Sequence, residues 1–379
     1  MSRRRIAAIA RRIVQQFRRD RPSLGLVFVA PIVVLALLGW VLRDQSTPAI
    51  RLGVVDPTAS GQIVGAIRQA TTSRGWVVVE IGHAPEAETA LRDESVDALI
   101  VIPVGFAPVP PGSPLPIEIV TRGDEPGDAA IAAQLQRLLL EVAFSGGGGI
   151  SIANRTLYGS PDADALDTFA PALIAFFGFF FVFILTGISF LRERIGGTLE
   201  RLLATPVGRG EIVAGYSLGF ALFATIQVAL ILAFSLSALE IPSIAGLPRI
   251  AIGLGIQSAG TPLLAFLVVL LLAIGAVNLG IFLSTFARTE LQILQFIPIV
   301  IVPQALLGGV FWSIETLPGP LQAISRILPL TYAVEGLREV LIKGSGLAAG
   351  RLQLDLLVLA LFALLFVALA AGTIRREVA

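Results

Sequence analysis

The chain contains no cysteine, a single histidine and a single lysine, Lys343. Without cysteine there is no disulfide, no thiolate metal ligand and no thiol nucleophile. The lone histidine, His83, lies in a loop-like stretch and reads as a surface residue, not as the seed of a zinc site. Charge is scarce as well. Only 15% of residues are Asp, Glu, Lys or Arg, against roughly a quarter in soluble domains. The net charge of +1 gives no bulk electrostatic case for nucleic acid as a partner. No G-x-x-x-x-G-K-[ST] loop is present to cradle ATP, and neither HExxH nor GxSxG occurs. A membrane enzyme is therefore disfavoured. No ionisable side chain falls near the middle of an apolar run, which argues against a proton relay or an ion-coupled pump.

What the chain has in quantity is apolar surface. Hydrophobic residues make up 55% of it, and its mean hydropathy is +0.84. The expected fold class is an α-helical integral membrane protein of six transmembrane helices with an inserted extracytoplasmic α/β domain. The first 22 residues carry eight arginines, most of them off the face made by Ile6, Ile9, Ala10, Ile13 and Phe17. That pattern reads as a basic amphipathic helix on an anionic inner leaflet. Residues 23–42 form the first span, long enough at roughly 30 Å to cross, and too long for a signal-peptide core.

Residues 43–165 differ in kind. Candidate strands at 50–55, 76–81, 98–102 and 116–120 alternate with candidate helices at 60–72, 85–93 and 128–144. Arg43 to Asp167 holds eight basic and sixteen acidic residues, which suits an external domain. The acids Asp93, Glu94 and Asp97, and likewise Asp124, Glu125 and Asp128, read as solvated faces; a calcium loop needs a tighter ligand pattern. Gly146 to Gly149 reads as a flexible joint. Residues 166–379 hold five further spans at 169–191, 212–239, 261–286, 291–311 and 354–374. In these, Pro171 suits a first helical turn, and the phenylalanines of 176–183 read as lipid-facing bulk. Pro298 and Pro303 each remove a backbone donor inside the fifth span and are expected to kink it. Residues 312–351 space their leucines like amphipathic helices dipping into the outer leaflet. Arginine bias, including Arg375 and Arg376, puts both termini in the cytoplasm, and one lysine against 27 arginines suits a high-GC bacterial genome, so a bacterial inner membrane is expected.

Between the second and third spans lies the most informative stretch, 192–207. Arg192, Glu193, Arg194, Glu200 and Arg201 concentrate charge there, and Gly196 and Gly197 break the incoming helix. Thr198 is placed to cap a short helix whose Leu199, Leu202 and Leu203 share one face, and Pro206 ends it. The run from Arg192 to Phe220 resembles the first cytoplasmic loop and following span of ABC type-2 transporter permeases. The resemblance continues at Phe296-Ile297-Pro298, Pro303-Gln304 and Leu328 to Arg338, and Val96 to Pro103 is similar to an external-domain strand of such permeases.

The resemblance implies that 192–207 is a coupling helix docked on a separate ATPase subunit, that 312–351 is a re-entrant external element, and that two permease chains pair, as a homodimer or a heterodimer. This chain then binds no cofactor, and ATP and Mg belong to the partner; the motifs do not specify a substrate, and the expected function is export of a hydrophobic or amphipathic compound. Gln227, Asn278, Gln292, Gln295 and Gln304 are the polar residues within the spans. They read first as interhelical hydrogen-bonding groups and second as substrate or subunit contacts. Membrane lipid, and an envelope or adaptor protein reached through the external domain, complete the expected partners. A non-transporting receptor acting through that domain is the alternative.

Overall fold

The structure, a computed structural model, describes residues 2–42, 50–55, 62–72, 75–93, 95–102, 115–124, 128–146, 150–158, 165–241, 250–311, 314 and 317–373. Glu94, Glu125, Gly147 to Gly149, Arg375 and Arg376, singled out above, lie outside them, as do parts of the segments that join the last spans. The chain divides into two compact units, Met1–Gly39 with Ala170–Ala379, and Trp40–Phe169.

Helix α1 spans Arg3–Phe17, and α2 (Arg21–Leu24) begins where Asp20 accepts bonds from Ser23 N at 3.3 Å and Ser23 Oγ at 2.7 Å. This is an N-cap arrangement. A π-helical turn, Gly25–Val29, leads into α3 (Ala30–Leu42). Pro31 accounts for it: its ring crowds the carbonyl four residues back and it brings no N–H, so the chain widens by one residue.

The second unit is a three-layer α/β domain. Its elements are β1 (Arg51–Val55), α4 (Gln62–Thr72), β2 (Val77–Glu80), α5 (Ala84–Arg92), β3 (Ala98–Val101), β4 (Leu115–Thr121), α6 (Asp128–Gly146) and β5 (Ile150–Thr156). The sheet order is β2-β1-β3-β4-β5, parallel except at the β3–β4 pair. Alternation explains the layers. Leu52, Val54, Ala98, Ile100, Ile117 and Ile119 pack under α4 and α6, while Val55, Leu99 and Val120 pack under α5. Strand β5 was not expected. Its apolar alternation is weak and it follows the glycine run, but Arg155 bonds to Glu118 at 2.7 Å and to Glu88 at 2.8 Å across the sheet edge.

The first unit resumes with α7 (Ala165–Ile195), α8 (Thr198–Leu203), α9 (Arg209–Leu236), the short antiparallel pair β6 (Leu239–Ile241) and β7 (Ile250–Ile252), and α10 (Pro262–Ser284). It ends with α11 (Glu290–Leu307), α12 (Gly319–Ser325), α13 (Pro329–Leu341) and α14 (Gly350–Thr373). Helices α7, α9, α10, α11 and α14 are each long and apolar enough to cross a membrane, and Gly25–Leu37 is a shorter apolar stretch. This is a multi-pass membrane protein.

Close helix contacts run through glycine. A methyl on Gly178 would lie 2.6 Å from Val269, and one on Gly280 would lie 2.9 Å from the Phe183 carbonyl, which binds α7 tightly to α10. Two expectations fail in α7. The helix starts four residues before 169, so Pro171 lies inside it and not in its first turn. Phe177, Phe179, Phe181 and Phe183 are buried, with Phe179 and Phe183 stacked, so these rings fill the protein core and do not face lipid.

Helix α11 runs unbroken through Pro298 and Pro303. Its far end is tied to the segment after it. Gln304 Oε1 accepts from Leu330 N at 3.1 Å, Ser325 Oγ donates to the Leu307 carbonyl at 2.6 Å, and Arg338 Nη2 donates to the Gly309 carbonyl at 3.0 Å.

Candidate coupling site

The loop between α7 and α9 is built from a helix break. Gly197 adopts φ +67, the left-handed region open to glycine, and a methyl on Gly196 would sit 3.0 Å from the Arg192 carbonyl. Helix α8 therefore starts from Gly197. Thr198 is its first helical residue and makes no cap, which corrects the capping role expected of it. Pro206 follows the turn that ends α8, and Gly208 N donates to Glu211 Oε2 at 3.0 Å to start α9.

The charges before the break are spent inside the chain. Arg192 grips Glu290 through two bonds, Nε to Oε1 at 2.7 Å and Nη2 to Oε2 at 3.2 Å, and so joins α7 to the start of α11. Arg194 Nη1 donates to the carbonyls of Ser284, Thr285 and Ala287 at 2.9, 2.7 and 3.0 Å, capping the end of α10 where the helix dipole is negative. Glu193 is 6% exposed, and its Oε2 accepts from Arg12 Nη2 at 2.7 Å and from Tyr216 Oη at 2.9 Å. The same Arg12 nitrogen also bonds Tyr216 Oη. Three helices, α1, α7 and α9, meet at this carboxylate.

Helix α1 was expected to lay its apolar face on lipid. That face is covered by protein instead. Ile9, Ile13 and Phe17 are buried, Phe17 packs edge-on to Phe220 at 5.9 Å, and methyls on Gly215 and Gly219 would come within 2.6 Å of Ile9 and 2.8 Å of Ile13. Glycine spacing on α9 lets the two helices approach closely. The start of α1 also reaches the loop. Arg5 bonds the Pro206 carbonyl and lies 3.5 Å from Glu211, and Ser2 N bonds Glu211 Oε1.

Helix α8 itself divides. Leu199 and Leu203 are each 6% exposed, already buried against this chain and not waiting for a partner's groove. Leu202 is half-buried, Glu200 and Arg201 are exposed, and Ile195, before the helix break, is 59% exposed. The loop thus presents a small surface of Ile195, Glu200, Arg201 and the edge of Leu202 on a rigid base. Sequence reasoning missed Ile195, Arg5, Arg12, Glu211, Tyr216 and Glu290. The legible signal was Glu193 and Glu211, two acids beside apolar spans that need cationic partners.

The polar residues of the spans are separated. Gln227 Nε2 donates to the Phe177 carbonyl at 3.1 Å, and Asn278 accepts from Ser217 Oγ while donating to the Ile274 carbonyl at 2.8 Å. Gln304 holds α13, as above. These three join helices. Gln292 accepts from Arg288 N at 2.6 Å in the α11 start, and Gln295 is exposed. Pro298 is exposed on the thinly covered α11. Among the described residues no group of three or more His, Asp or Glu could hold a metal ion.

The run of apolar helices agrees with comparisons to known proteins. The model of the family described as ABC-2 family transporter protein matches residues 22–371. The permease "Probable multidrug ABC transporter permease YbhS" of Escherichia coli K12 is 22% identical over 357 residues, covering 91% of this chain and 90% of that protein. The "Linearmycin resistance permease protein LnrN" of Bacillus subtilis is 24% identical over 354 residues, covering 84% and 86%. The "ABC transporter G family member 20" of Dictyostelium discoideum is 28% identical over 198 residues, 52% of this chain and a quarter of that protein's length. With 350 consecutive residues matched and relatives aligned nearly end to end, the chain belongs to the ABC-2 family of transporter proteins, as an ABC transporter membrane subunit.

Proposed function

We propose that this chain is the permease half of an ATP-driven exporter, moving a hydrophobic or amphipathic compound out of the cytoplasm or the inner leaflet. The observation that carries the reading is the α7–α9 loop. Arg192, Glu193 and Arg194 bolt it to α11, α1 with α9, and α10, while Ile195, Glu200, Arg201 and Leu202 remain at its surface. A push on that surface would be passed to four helices at once, which is what coupling to a remote ATPase requires. ATP and Mg would be bound by the partner subunit, and this chain would bind neither.

Six spans, the first within 21–42, would place both termini and 192–211 in the cytoplasm of a bacterial inner membrane and the α/β domain outside. A second permease chain would complete the pathway. Helix α11 favours this, since Leu291, Ile299 and Val302 are exposed and little of the helix is covered within one chain. Pro298 and Pro303 would let α11 rearrange, and α12 with α13 would form the external re-entrant element. The names of YbhS and LnrN, multidrug and linearmycin-resistance permeases, favour an apolar or amphipathic cargo. The test is purification of the tagged chain from native membranes in mild detergent. An ATP-hydrolysing subunit should come with it, with hydrolysis altered by candidate amphiphiles. Recovery of the chain with envelope proteins and no ATPase would support the receptor alternative and end this reading.

A further inference from the structure

Three arginine pairs recur at seven-residue steps in α1 and just beyond it: Arg4-Arg5, Arg11-Arg12 and Arg18-Arg19. Seven residues bring a helix back to nearly the same face, whereas neighbours differ by roughly 100°. The two members of a pair therefore do different work. Arg5 and Arg12, the second members of the first two pairs, turn to the α9 flank and bond Pro206, Glu211 and Glu193. The first members, Arg4, Arg11 and Arg18, lie opposite Ile9, Ile13 and Phe17, and all three are exposed. They form a stripe of cations about 10 Å apart along the helix.

Helix α1 runs beside α9 in the same direction, as its successive contacts show. Ser2 meets Glu211, Ile9 meets Gly215, Ile13 meets Gly219, and Phe17 meets Phe220 and Phe223. Over the same turns α9 exposes Leu218 at 57% and Leu222 at 46%, apolar side chains of a candidate membrane span. Arg11 and Arg18 therefore stand where α9 passes from its charged start to its exposed leucines. A guanidinium on its long stem can reach phosphate headgroups from there and hold them through two bonds. Because the apolar face of α1 is spent on α9, insertion cannot drive membrane binding, and charge alone remains.

We propose that Arg4, Arg11 and Arg18 bind the headgroups of anionic phospholipid, while Arg5 and Arg12 hold α1 to the coupling loop. The step rests on reading 192–211 as the ATPase-side loop. The test reads lipid preference in nanodiscs, where both faces are open, so it stands whichever side that loop faces. The absence of cysteine allows Gln15→Cys, exposed between Arg11 and Arg18, to carry a bimane label on the full chain. Nitroxide-labelled phosphatidylglycerol and phosphatidylcholine are compared as quenchers.

Each cation near an anionic surface corresponds to about a fivefold change in occupancy, so three give about a hundredfold. The expected result is strong preferential quenching by phosphatidylglycerol, lost in R4Q/R11Q/R18Q and collapsed by 0.5 M salt. ATPase recovery should persist in that variant, because Arg5 and Arg12 are kept. Equal quenching by both lipids in the unmodified stripe, or a preference that survives the triple substitution, overturns the proposal. Loss of the ATPase with lipid preference intact makes the stripe a protein contact and overturns it as well.

Discussion

A single methyl group can test whether α1 is a working part of the loop. In Gly219→Ala the new Cβ would lie 2.8 Å from Ile13 Cβ, 2.9 Å from Ile13 Cγ2 and 3.3 Å from the Ala10 carbonyl. Carbon atoms settle at about 3.5–4.0 Å, so α1 must retreat by roughly 0.7 Å or more. Overpacking of this kind costs about 1–3 kcal/mol. The neighbours that must give way are a Cβ and a main-chain oxygen, which cannot swing aside as the tip of a long side chain would. Helix α9 meanwhile gains up to about 1 kcal/mol in propensity from the exchange, so melting of α9 is not the expected failure. The strain should appear at the α1 contacts, including the bonds of Arg12 to Glu193 and Arg5 to Pro206. In membranes, trypsin should release the arginine-rich α1 several-fold faster, and ATP hydrolysis in the complex should fall. Adding Ile13→Ala keeps the Cβ but removes the Cγ2 that lies 2.9 Å away and opens space beside it, so it should recover part of both losses, a coupling that a double-mutant cycle measures. Unchanged proteolysis and hydrolysis in Gly219→Ala, or no coupling to Ile13→Ala, would refute the close α1–α9 packing as the link to function.

Three further outcomes follow from the same contacts. Single cysteines at Gly208 and Ser151, both exposed, should label oppositely in spheroplasts with an impermeant reagent, Ser151→Cys reacting and Gly208→Cys not; the reverse pattern inverts the topology. Pro298→Ala with Pro303→Ala should leave the protein folded and slow transport, since restoring two N–H groups stiffens α11, and normal transport would remove any role for the prolines. Asp355 is fully buried, no hydrogen-bond donor among the described residues reaches its carboxylate oxygens, and Arg351 Nε lies 3.8 Å away. Asp355→Asn should therefore leave thermal stability unchanged or raise it, and a loss above about 1 kcal/mol would mean the charge is compensated in a way these contacts do not show.

The α/β domain was the most legible part of the sequence. Four of its strands and all three helices fall within a few residues of their expected places, because alternation and turn residues are local signals. Strand β5 escaped, since its partner β4 lies far back in the chain and only the pairing makes Ile150 to Thr156 a strand. The spans were legible from hydropathy, but their faces were not. A phenylalanine in a span looks alike to lipid and to a neighbouring helix, and only the glycines of α7 and α10 show that α7 is enclosed. The loop at 192–207 was legible as a helix break with a short leucine-faced helix. The partners of its charges were not, because Arg12, Tyr216, Ser284 and Glu290 come from four other places in sequence. Sequence spacing shows which residues share a face of that helix, but not that Glu193 and Arg194 bond within the fold or that Arg192 pairs with Glu290.

The claim that Glu200 and Arg201 sit on the surface gripped by an ATPase is tested most directly by exchanging their charges. Glu200→Lys with Arg201→Glu keeps net charge, touches two exposed side chains and spares the buried Leu199 and Leu203. Surface substitutions of this kind usually change stability by about 0.5 kcal/mol or less, so expression and membrane insertion should be unaffected. Reversed charges at an interface rim cost binding by like-charge contact, so the ATPase recovered per permease should fall about tenfold, with stimulated hydrolysis lost in parallel. If the double variant retains its full complement of ATPase subunit and its transport, α8 is a structural brace only and the coupling account is contradicted.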